Sequence, residues 1–148
     1  RYPGLRTISD REASSLDANT NRLLLGWDNR LLEQLAVRFG HADQTLSANA
    51  ATIRGQAFPK DTNSVVLVSK DATGVATGFI GAVTPQAVGT MARKLTHYGS
   101  YGRLVFDGET GRNLLKESPA SKHSVLSRQL GVERVPLRLD RAQVLGSD

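Results

Sequence analysis

The chain has no cysteine, one methionine and one tryptophan among its 148 residues, and only 5% of it is aromatic. Without cysteine there are no disulfides and no thiolate metal sites, and either redox compartment is open to the chain. No apolar run approaches the roughly 18 residues that would span a bilayer as a helix. The first residues, RYPGLRTISDREASSLDANT, hold no apolar segment and do not begin with Met, so they do not read as a signal peptide. That start reads as a processed chain or a piece of a longer one. Charge of one sign is never concentrated, although the net charge is +5. The cations are scattered from Arg54 to Arg128 in the manner of a solvated surface, and nucleic acid is the lesser alternative. What remains, 39% hydrophobic and 22% charged residues, suits one globular domain with a core.

The first element is NRLLLGWDNRLLEQLAVRFG. Arg22 to Gly26 reads as a buried strand because its leucines are continuous. Leu31, Leu32, Leu35, Ala36 and Phe39 then recur at helical spacing, with Asp28 as the N-cap and Gly40 at the C-terminus. Residues 41–63 are polar and carry at most a short edge strand around Thr52 to Arg54. SVVLVS (Ser64 to Ser69) and VATGFIGAV (Val75 to Val83), joined by KDATG, predict two neighbouring strands, antiparallel if they form a hairpin. TPQAVGTMARKL predicts a helix capped by Thr84, with Pro85 at its first position and Arg93 and Lys94 in its last turn. RLVFDG, Arg103 to Gly108, predicts another strand, and HSVLSRQLG a C-terminal helix. The expected fold is therefore α/β: a single three-layer domain, a mixed central sheet with helices on both faces, Rossmann- or flavodoxin-like. Its bounds are a 1–20 extension, a 21–131 domain and a 132–148 tail.

Motifs that carry chemistry are sparse. His41, His97 and His123 are far apart, and no H-E-x-x-H or G-x-S-x-G occurs. LLLGWDNRLL and FIGAVTPQAV each place one glycine between a strand and a helix, short of a dinucleotide or P-loop pattern. These read as turns, with a ligand between them at a sheet switch point as the alternative. Asp107 and Glu109 sit at a strand end but in the turn composition DGETG. Tyr98 and Tyr101 beside Arg103 are the one aromatic–basic cluster that could meet single-stranded nucleic acid. No cofactor is expected.

The stretch from Met91 to Leu130 resembles the C-terminal accessory domain of bacterial zinc aminopeptidases of the aminopeptidase N, or gluzincin, type, whose core reads ARKLPHYGKYSYLVF. The matching residues are Ala92 to Leu95, His97, Tyr98, Gly99, Tyr101, Leu104 to Phe106, Asn113, Lys116 and Leu126. NRLLLGWDNRLLEQLA is similar to the start of such domains, and together the matches span about residues 20–130. Thr96, Ser100 and Val125 depart from the pattern, and Glu117-Ser118-Pro119 replaces its Gly-x-Trp. The resemblance implies a non-catalytic domain that docks on a peptidase catalytic domain or another subunit, in the periplasm or cell envelope. Without it, the expected location is cytoplasmic. The catalytic H-E-x-x-H belongs to a different domain of that family. His97, Tyr98, Tyr101, Arg103 and Lys116 form the candidate interaction loop, and the alternative is a small-ligand or nucleic-acid module using the basic loops near Arg93, Lys94 and Arg103.

Overall fold

The computed structural model describes residues 6–13, 17–40 and 43–118, so the predicted C-terminal helix lies outside the described residues. Eight strands and two short helices make up the described part. The strands are β1 (Arg22–Leu25), β2 (Gln44–Leu46), β3 (Ala50–Ile53), β4 (Gln56–Pro59), β5 (Asn63–Lys70), β6 (Ala76–Gly81), β7 (Arg103–Asp107) and β8 (Asn113–Glu117). The helices are α1 (Leu32–Ala36), continued by a 3-10 turn over Val37–Phe39, and α2 (Pro85–Leu95). No helix of the described residues is long and apolar enough to cross a membrane.

This corrects the expected three-layer, Rossmann-like α/β fold. The structure is mostly β, with a five-stranded sheet in the order β1-β6-β5-β7-β8 and a three-stranded sheet in the order β2-β3-β4. Only β1 and β6 pair parallel; every other pair is antiparallel. The predicted β5–β6 hairpin forms, with Val66 opposite Ile80 and Val68 opposite Gly78. The region 43–59, expected to carry at most a short edge strand around Thr52 to Arg54, is an antiparallel meander. Its β3–β4 turn is Arg54-Gly55, both at positive φ (52° and 79°), the geometry of a two-residue hairpin turn.

Two cores lie on opposite faces of the large sheet. Val65 and Leu67 of β5, Phe79 of β6, Val105 of β7 and Leu24 of β1 point to one face. There they meet Leu32, Leu35 and Phe39 around α1 and Leu46, Ala51, Ile53 and Phe58 of the small sheet. Alternation sends Val66, Leu104 and Phe106 to the other face, where Met91 of α2 covers them. Helix α2 forms as predicted: the Thr84 hydroxyl accepts the Ala87 N–H at 3.2 Å and Pro85 opens the first turn. Because β6 and β7 both run antiparallel to β5, α2 connects two parallel strands across it. The first helix differs from expectation. Asp28 does not cap it; Asn29 accepts the Leu31 N–H at 2.9 Å instead, and regular α-helix lasts five residues.

Candidate interaction site

The turn between α2 and β7 is built by backbone bonds from the His97, Tyr98 and Tyr101 amides to Lys94, Leu95 and Tyr98 carbonyls. Tyr98 stacks edge-on against Phe106, ring centroids 5.7 Å apart, and lies 6.0 Å from Tyr101. The Lys116 ammonium sits 5.9 Å from the Tyr101 ring centre, and Lys94 sits 5.5 Å from that of Phe106. Both approaches suit the negative face of an aromatic ring. Tyr98, Tyr101 and Lys116 therefore come together, and the rings pack against the second core. His97 is exposed on this turn.

Arg103 is placed elsewhere. It opens β7 facing the first core and is only 8% exposed. Its guanidinium donates to both oxygens of Asp43, at 2.8 and 2.9 Å, and to Glu117 at 3.5 Å. Arg54 pairs with the same Glu117 at 3.0 Å. The Arg103 hydrogen bonds hold the Asp43 carboxyl below its ordinary pKa, and Asp43 in turn raises that of Arg103. A buried, fully paired guanidinium ties the small sheet to the large one and is not a loop group open to an anion.

The two strand–helix turns do lie side by side, since Leu25 pairs with Ile80 and the Gly26 N–H donates to the Ile80 carbonyl at 2.9 Å. The place between them is taken by Trp27. A Cβ on Gly81 would meet the indole at 2.5 Å, and Phe79 packs edge-on against it at 5.0 Å. The indole Nε1 is buried without an acceptor.

A cleft of about 310 Å³ opens between α2 and the 107–111 turn. Several of its polar groups are held by local bonds. Asp107 accepts from the Thr110 N–H and hydroxyl, each at 2.7 Å, and from the Glu109 N–H at 3.2 Å. Those donors, the Thr110 amide foremost, lower the Asp107 pKa. The Lys94 ammonium donates to the Gly111 carbonyl, and Ser64 accepts the Val83 N–H. Asp107 thus shapes the turn, as its composition predicted. Among the described residues, no three His, Asp or Glu side chains converge to hold a metal ion.

The surface that the sequence concealed is apolar. In β1, Leu24 is buried but Leu23 and Leu25 are 55% and 58% exposed on the α2 side of the sheet. Among the described residues, helix α2 covers Val66 of β5 and Leu104 and Phe106 of β7 on that side, with Ile80 of β6 at the margin, and leaves Leu23 and Leu25 of β1 open. Val68 and half-buried Ile80 continue the patch along β5 and β6. The run RLLL looks continuously buried, and nothing in the pattern marks β1 as an edge strand with one open face.

Comparison with protein-family models, with curated proteins and with solved structures finds no match for this chain.

Proposed function

We propose that this chain is a non-catalytic interaction domain that docks on a folded protein partner. One observation carries it: two leucines of one strand stand more than half exposed on a sheet face that no element of the described residues covers. Monomeric proteins rarely leave contiguous apolar surface open, and such patches mark association sites. Asp107, Thr110 and Lys94 of the α2 cleft are engaged in local bonds, in keeping with a supporting role for them rather than a reactive one. The likeness of the Met91 to Leu130 stretch to gluzincin accessory domains makes the catalytic domain of such a peptidase the first partner to try. The alternative of a basic ligand or nucleic-acid loop is less favoured, because Arg103 is buried in ion pairs and Lys94 donates to Gly111.

Size-exclusion chromatography with light scattering tests this, on the chain alone and mixed with a gluzincin catalytic domain. Co-elution at the summed mass is the expected result. A chain that stays monomeric and elutes unchanged in the mixture overturns the assignment of that partner.

A further inference from the structure

We propose that α2 is a displaceable cover. It lifts from the sheet as a unit while the strands stay paired, and in lifting it extends the open apolar strip across four strands. This motion belongs to the chain alone and does not depend on a partner.

The register shows what lies beneath the cover. Leu25, Ile80, Val66 and Leu104 form one row across β1, β6, β5 and β7, on the α2 side of the sheet. Exposure falls along that row, from 58% at Leu25 through half-buried Ile80 to 7% at Val66 and 1% at Leu104. Met91 of α2 joins Val66, Leu104 and Phe106 in the second core. With α2 lifted, the strip that starts at Leu25 runs on to Leu104.

The hold of α2 on that row is slight. Met91 is the one buried side chain among its eleven residues. Ala87, Lys94 and Leu95 are half-buried, and the rest, Val88 included, are exposed. On the opposite face the five-residue α1 buries both Leu32 and Leu35, and Phe39 beside it is fully buried. Apolar burial is what holds a helix to its sheet, so the layer made by α2 is held more weakly than the layer around α1. Nor does α2 hold its own shape. It falls short of the roughly 12–15 residues at which a helix begins to persist alone. Gly89 stands in its middle, and no acidic residue supports its first turn. Among the described residues, its one side-chain hydrogen bond to another element runs from the Lys94 ammonium to the Gly111 carbonyl. The turn that follows is better anchored, with Tyr98 against Phe106 and Tyr101 beneath Lys116. Lifting gives up the burial of Met91 and the Lys94 latch and leaves the ladder of β5, β6 and β7 intact.

Because the chain has no cysteine, a single introduced thiol reports its own exposure. Val66→Cys places one beneath α2, and Val65→Cys places one in the fully buried first core. With dithiobis(nitrobenzoate) in excess, the thiol at position 66 should react at least about a hundredfold faster than the thiol at 65, and with a weaker dependence on urea. Lys94→Met removes the latch and should speed labelling at 66 about tenfold. Gly89→Ala should slow it about fivefold, because a Cβ there meets nothing within 4 Å and alanine favours the helix over the lifted chain. Ile53→Val, in the first core, should speed labelling at 65 and leave 66 unchanged. Equal rates at the two positions overturn the inference, since α2 then leaves only when the whole fold does. Fast labelling at 66 that neither Lys94→Met nor Gly89→Ala moves also overturns it, since that position is then open without any lifting. Circular dichroism establishes that each variant is folded. Hydrogen exchange repeats the test on the unaltered chain: the amides from Gly89 to Leu95 should be at least about a hundredfold less protected than those from Val65 to Val68, and comparable protection overturns the inference.

Discussion

Gly81 has no side chain because Trp27 needs the space. A Cβ on Gly81 would stand 2.5 Å from an indole ring carbon and 2.7 Å from the Phe79 ring, and both aromatics are buried in the first core. Gly81→Ala should therefore destabilise the fold by about 1–3 kcal/mol, read as a lower midpoint in urea at unchanged slope. An unchanged midpoint would mean that Trp27 does not sit over this strand end. The same pair explains why the space between the two glycine turns, adjacent as a switch point requires, is taken by side chains. The sequence showed both turns. It could not show that the tryptophan next to one glycine would fold onto the other.

Helix α2 was the most legible element, because its signals agree: a capping threonine, a proline at the first position, an apolar stripe and two cations at the end. Thr84→Ala removes the oxygen that accepts the Ala87 N–H and should cost about 1 kcal/mol, a drop of a few degrees in melting temperature. A loss near zero would show that the cap is replaced by water at no cost. Strands β5, β6 and β7 were legible for a related reason, since their valines, isoleucine and phenylalanines have strong strand preference. β2, β4 and β8 were not, and β3 only as a short edge strand around Thr52 to Arg54. Each has three to five residues and is built partly from Gln, Ala, Lys or Asn, whose own preferences do not favour a strand. These strands exist because Leu46, Ala51, Ile53 and Phe58 bury against the first core, and tertiary packing overrides weak propensity.

At the scale of the whole molecule, three carboxylates hold junctions together. Asp43 joins the small sheet to Arg103, Asp71 binds the Thr73 hydroxyl in the β5–β6 turn, and Asp107 shapes the turn before β8. In each, hydrogen bonds to the ionised form lower the pKa: from Arg103 for Asp43, from Thr73 for Asp71 and from Thr110 for Asp107. A lowered folded value means that the stabilisation is present above the ordinary carboxylate range and is lost as pH falls through the folded values. Melting temperature should hold steady with respect to these groups at neutral pH and fall below about pH 4. The Asp43→Asn variant should show a shallower acid loss from a lower starting point. An acid profile identical to that of the parent would remove Asp43 from the account.

The sequence by itself determined the absence of thiol chemistry, and the strands and helix whose local preferences and caps point one way. Only the tertiary structure decided that, among the described residues, the layers are unequal: a second sheet and a short helix on one face, a single helix on the other, and an apolar strip left over. The reason is that strand periodicity tells which residues share a face but not what covers that face. Leu23, Leu24 and Leu25 are chemically alike, and only the neighbours supplied by the fold make the middle one core and the outer two surface.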